Sequence, residues 1–174
     1  MAKLRVPVTA NDHSQGPADA PVTLVEYGDY ECPHCGHAYP ILKLLQKEFG
    51  NKLRFIFRNF PLREAHPNAE EAAETAEFAA AHGKFWEMHD LIFENQRALG
   101  DRMFVELAHK LKLDVQALAK SLKGGEFADR VQADFSGGVR SGVNGTPTFF
   151  INGQRHDADF ELETLTEAVN QALG

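Results

Sequence analysis

An α/β fold is what this sequence predicts, and three stretches carry that reading. A strand–helix–strand unit occupies about 20–64, an all-helical block runs over about 65–140, and two strands and a helix close the chain over 141–174. Strand, helix, strand over so short a span is the pattern of a βαβ unit with parallel pairing. At 174 residues the chain reads as one domain, long enough to bury a core without disulfide support.

The elements follow in order. "SQGPADAP" (14–21) is a turn-rich lead-in. "VTLVEYGDY" is apolar and β-branched, a short buried strand. From Pro33 the period becomes helical: Tyr39, Leu42, Leu45 and Phe49 share one stripe, Gly50 ends it, and Pro40 is expected to kink it. "KLRFIFRNFPL" (52–62) predicts a second strand, with Leu53, Phe55 and Phe57 alternating against Arg54 and Arg58.

From His66 to about Arg140 nothing reads as strand. "NAEEAAETAEFAAAHG" predicts a helix ending at Gly83, with Glu70, Glu71, Glu74 and Glu77 as its solvated face. "KFWEMHDLIFENQ", "DRMFVELAHKLKL", "DVQALAKSLKGG" and "EFADRVQADFSGGVRSG" follow as further helices. Phe85, Trp86, Met88, Leu91, Ile92 and Phe93 are expected in the core, and His82 and His89 as surface or packing residues. "TFFI" and "QRH" flank Asn152-Gly153, a strong hairpin signal. "DFELETLTEAVNQALG" is a final helix, capped by Asp159 with Glu161 and Glu163 near the positive end of its dipole.

Composition excludes several classes. A formal charge of −7 argues against general affinity for nucleic acid or anionic membrane. No apolar run approaches the roughly 18 residues of a membrane span. "GGVRSGVNG" lacks the Lys-Ser/Thr of a phosphate loop. "MAKLRVPVTANDHSQGP" lacks the apolar core and cleavage site of a signal peptide, so the chain as written is expected in the cytoplasm, or in the periplasm if that start replaces a leader.

The chemistry concentrates in "YECPHCGHAYP" (30–40), which holds both cysteines of the chain. Cys32 lies at the start of the predicted helix, and Pro33 sits in its first turn, where a missing N–H costs nothing. Unpaired N–H groups and the helix dipole favour an exposed thiolate there. Cys35 is one turn further along the same face, close enough to resolve a mixed disulfide. His34 adds a donor beside the Cys32 sulfur, positive when protonated; a stabilised thiolate makes the disulfide oxidising. A bridge over two residues would remove little unfolded-chain entropy, which argues against a structural staple. Zinc needs four ligands; His34, His37 and His66 would have to complete a set begun by the cysteines, with no second CxxC and no HxxxH to help. On these residues alone redox chemistry leads, and zinc and a structural pair stay open.

With "GTPTFFING" (145–153) set beside "ECPHC", the chain resembles the DsbA-like branch of the thioredoxin superfamily from about Ala20 onward. The resemblance implies a thioredoxin-like fold, βαβ then ββα, with a DsbA-type helical insertion over about 65–140. It implies that Pro147 is cis and faces the CxxC, and that Thr146 offers its backbone to an extended substrate. The founding member has valine where this chain has Thr146. Glu26 matches the family's buried acid, which accepts or relays a proton for Cys35. Read from the residues, a glutamate on an apolar strand is costly to bury without a partner, and the alternative is a strand-end side chain facing solvent.

The activity implied is thiol–disulfide exchange with protein cysteines through Cys32 and Cys35, run as a dithiol oxidase. No cofactor is expected beyond the Cys32–Cys35 disulfide. The expected partners are protein or peptide thiols and a redox recycling partner, and a monomer is favoured. The alternatives are a cytoplasmic reductase using the same pair, or a non-enzymatic peptide- or zinc-binding module.

Overall fold

The computed structural model describes residues 2–174 and builds one five-stranded sheet. Its strands are β1 (His13–Gln15), β2 (Val22–Gly28), β3 (Leu53–Asn59), β4 (Thr148–Ile151) and β5 (Gln154–His156). They lie in the order β1-β3-β2-β4-β5; β2 and β3 are parallel, and the other pairs are antiparallel. Helix α1 (Pro33–Phe49) makes the crossover between the parallel strands, as the βαβ reading requires. Helices α2 (Ala69–Ala80), α3 (Phe85–Glu94), α4 (Asp101–Lys110), α5 (Val115–Gly124) and α6 (Ala128–Arg140) form the block between β3 and β4, and α7 (Leu162–Leu173) closes the chain.

Both faces of the sheet are covered, which explains the near-continuous apolar run of β2. Leu24, Phe55, Phe57 and Phe149 face a large core shared with α1, α3 and α7. Val25, Tyr27, Ile56 and Phe150 face a second, smaller core that Phe60, Val143 and Phe135 complete. Glu26 shares the side of Leu24 by strand periodicity, and so points under α1. In the helical block, Phe85, Met88, Ile92 and Phe93 are buried as expected, while Trp86 and Leu91 are half-buried.

Several turns match their residues. Gly83 adopts φ +73°, and the Lys84 N–H bonds the Ala79 carbonyl at 2.9 Å, the αL closure that glycine permits after α2. Asn152 and Gly153, at φ +48° and +83°, make the tight β4–β5 hairpin.

Four expectations are corrected. The lead-in is not turn throughout: its first two residues join His13 in β1, a polar three-residue strand with no period of its own, held by pairing with the edge of β3. Arg58 is not the solvated half of an alternating strand. It is buried, and its guanidinium donates to Asp12 Oδ1 and Oδ2 (2.8 and 3.1 Å), Tyr27 Oη (2.9 Å) and the Val6 and Pro7 carbonyls. The acidic face of α2 is not all solvated: Glu74 and Glu77 are buried, and Glu77 pairs with His13 at 2.9 Å and accepts from Asn59 Nδ2 at 2.9 Å. The N-cap residue of α7 is Glu161; Asp159 lies two residues earlier, where its carboxylate accepts the Glu161 N–H at 3.1 Å.

Candidate active site

The topology brings the two motifs together. Because β4 runs antiparallel to β2, the start of β4 lies against the end of β2, from which the chain turns into α1. The Thr146–Pro147 bond, immediately before β4, is cis, and the Cys32 sulfur lies 3.5 Å from the Thr146 carbonyl oxygen. The Thr146 hydroxyl is buried beside the Cys32 sulfur.

Cys32 occupies the N-cap of α1 in extended conformation and Pro33 its first turn. Both cysteines are free thiols in unequal settings. Cys32 is lowered to about 5 chiefly by a hydrogen bond from the Cys35 thiol, against the opposing effect of burial, and then by the Thr146 hydroxyl and the backbone N–H groups of Cys35 and His34. Cys35 is pushed well up, first by burial and then by its bond to Cys32; the Asp29 N–H donates to its sulfur at 3.4 Å. One sulfur is therefore the thiolate at neutral pH and the other its proton donor. We expect iodoacetamide to modify reduced protein at Cys32 alone, with a rate midpoint near pH 5; a midpoint near 8 contradicts this assignment.

Two details differ from the sequence reading. The attacking thiolate is not openly exposed: Cys32 keeps 4 % of its surface, because the loop bearing Thr146 lies over it. His34 is itself exposed, and what it presents to the sulfur is its backbone N–H. His37 is exposed and bonds Glu161, and His66 bonds Asp29. Among the described residues no group of three or more His, Cys, Asp or Glu is placed to hold a metal ion.

Glu26 is 1 % exposed, so the solvent-facing alternative does not hold. Desolvation first, and the nearby Cys32 charge second, raise it to about 8. Its Oε1 has no partner. Beside it lies a cavity of single-water size, lined by Glu26, Tyr39, Lys43, Gln46 and His89 among others. The folded state thus holds a proton that the unfolded chain releases above about 4.5, and folding stability falls as pH rises from there to about 8. Glu26→Gln should remove this slope and stabilise the reduced protein by about 3 kcal/mol at pH 7. Denaturant titration at pH 5 and pH 7 checks this; equal stabilisation at both contradicts it.

Some site residues were not legible as such in the sequence. Asp29 accepts the N–H groups of Glu31 (2.7 Å) and Cys32 (3.1 Å) on one oxygen, and those of Leu62 and His66 Nδ1 (both 2.8 Å) on the other. Gln96 Nε2 donates to the Tyr30 and Cys32 carbonyls at 2.9 and 2.8 Å. Its amide lies where a Cβ on Gly36 would fall, so a side chain at residue 36 would displace that amide. Glu31 accepts from the backbone and side chain of Asn68 at 2.8 Å, tying the active-site turn to the start of α2. An aspartate two and three residues before N–H donors was a readable Asx-turn signal for Asp29; Gln96 had none.

A family model described as Thioredoxin matches residues 8–171. Among curated proteins, Na(+)/H(+) antiporter NhaA 1 of Salinispora arenicola is 45 % identical over 171 residues, covering 98 % of this chain and 26 % of the relative. The chain thus spans about a quarter of the curated relatives it matches. Among solved structures, oxidised BdbD from Bacillus subtilis superposes with a TM-score of 0.88 at 26 % identity, covering 99 % of this chain and 98 % of BdbD. Wolbachia pipientis α-DsbA1 gives 0.83 at 20 % identity, over 97 % and 94 % of the two chains.

Proposed function

The chain belongs to the thioredoxin family, in its DsbA-like branch, and on that premise we propose that Cys32 and Cys35 exchange disulfides with cysteines of protein or peptide substrates, in the direction of substrate oxidation. The observation that carries the direction is the asymmetry of the pair. A thiolate lowered to about 5 stabilises the reduced enzyme, and a stabilised reduced form makes its disulfide a strong oxidant.

The steps follow from the positions. A substrate thiolate attacks Cys32 of the Cys32–Cys35 disulfide, because Cys32 alone keeps any surface. The Cys32–Cys35 bond breaks, a substrate–Cys32 disulfide forms, and Cys35 leaves as a thiolate. Cys35 is buried where its charged form is strongly disfavoured, so it needs a proton; the neutral Glu26 carboxyl is the nearby source. A second substrate thiolate then attacks the substrate sulfur of the mixed disulfide. Cys32 departs with the electron pair, an easy leaving group at its low pKa. The substrate gains a disulfide and the enzyme becomes the dithiol, which a separate oxidant must recycle. The backbone at Thr146 offers an extended peptide an unsequenced main-chain contact beside the reacting sulfur.

Ion antiport is not part of this reading. That name belongs to relatives of which this chain spans about a quarter, and no helix described here is long and apolar enough to cross a membrane.

The test is trapping. Cys35→Ser, loaded through Cys32 with a peptide disulfide or incubated with cell extract, should accumulate mixed disulfides that dithiothreitol releases. No trapped species from either source would overturn a role on protein thiols.

A further inference from the structure

We propose that His66 is a positioning residue for the Cys32 thiolate: through the buried Asp29 carboxylate it delivers the positive charge that allows the active-site turn to hold a thiolate. The proposal rests on the redox reading of Cys32 and Cys35 and adds a residue to that site.

The geometry begins with Asp29, whose side chain has no exposed surface. The turn from β2 into α1 leaves the Glu31 and Cys32 N–H groups pointing at one point, and Asp29 Oδ1 satisfies both. Its other oxygen takes the Leu62 N–H and His66 Nδ1 from the loop after β3. The Asp29 backbone N–H meanwhile donates to the Cys35 sulfur at 3.4 Å. One residue therefore touches both cysteines and anchors the loop bearing His66.

That arrangement has an electrostatic cost. A buried carboxylate bonded to the Cys32 N–H repels the charge that Cys32 must carry. His66, partly open to solvent and 2.8 Å from Asp29, is where a compensating proton binds. The charged or titratable groups acting on His66 are Asp29, Cys32 and Glu31, all negative when ionised, and they hold its proton more tightly than usual against the opposing effect of burial. Coupling is reciprocal: if a Cys32 thiolate favours protonated His66, protonated His66 favours the thiolate to the same degree. Breaking the Cys32–Cys35 disulfide creates that thiolate, so reduction should tighten proton binding at His66.

The experiment compares wild type with His66→Gln, which can still donate a hydrogen bond but carries no charge, and His66→Arg, which keeps the charge. Each reduced protein is titrated by thiolate absorbance and by iodoacetamide rate, with no substrate present, so the outcome does not depend on whether the chain acts on protein thiols. His66→Gln should lower the acid constant of Cys32, and the oxidising equilibrium constant against glutathione, by roughly three- to tenfold. His66→Arg should stay near wild type. Wild-type values in His66→Gln would overturn the proposal, as would equal losses in both variants, which would mean packing rather than charge. If His66→Gln fails to fold, the imidazole of wild-type His66 is followed by NMR in both redox states. A higher pKa in the dithiol form is expected, and no difference overturns the proposal.

Discussion

Cys32→Ser is expected to abolish disulfide exchange, lowering the rate of oxidation of a peptide dithiol by more than about a thousandfold. A serine hydroxyl is not ionised near neutral pH and cannot form the mixed disulfide. The remaining cysteine cannot take over. Cys35 has no exposed surface, and its thiol is held protonated by burial and by its position behind Cys32. Cys35→Ser should behave differently: its Cys32 thiolate still attacks a substrate disulfide once and stays in the mixed disulfide, but the variant cannot act as the oxidised enzyme. Measurable turnover by Cys32→Ser would place the chemistry elsewhere in the molecule.

The second large effect is on stability. Arg58→Ala should destabilise the fold by about 3–5 kcal/mol, because removing one partner leaves the other buried charge unmatched. The guanidinium bridges Asp12 to the Val6 and Pro7 carbonyls and to Tyr27 Oη, so one side chain pins the N-terminal segment to β3. Asp12 is held below the usual carboxylate range: burial raises it, and the bonds from Arg58 and the Thr9 N–H more than offset that. Urea denaturation checks the magnitude. A loss under about 1 kcal/mol would mean that the pair acts like a solvent-screened one.

The parts of the site that were legible in the sequence are those written in short stretches. CPHC at a strand-to-helix junction and Asn-Gly between two strands each carry their geometry locally, whereas the cis bond at Pro147 is implied only by the family resemblance. Parallel pairing of β2 with β3 followed from the length of the crossover, and the continuous apolar runs from burial on both faces. What stayed hidden joins distant residues. Gln96 bonds a carbonyl 64 residues away, and His66 a carboxylate 37 residues away. Neither side chain is distinguished by period or by neighbours, and His66 looked useful only as a metal ligand. The acidic run on α2 is illegible for the same reason: Glu77 resembles the other glutamates of the run until β1 supplies His13 and β3 supplies Asn59. Arg58 likewise read as the outward half of an alternating strand, because its buried partners come from before β1.

The measurement that bears most directly on the central claim is the equilibrium of the Cys32–Cys35 pair with glutathione at pH 7, read by quantifying oxidised and reduced protein. A Cys32 thiolate stabilised by the helix N-terminus and by Cys35 predicts an oxidising pair, with a potential near about −120 mV. A value near about −270 mV, that of a reductant, would contradict the direction proposed here.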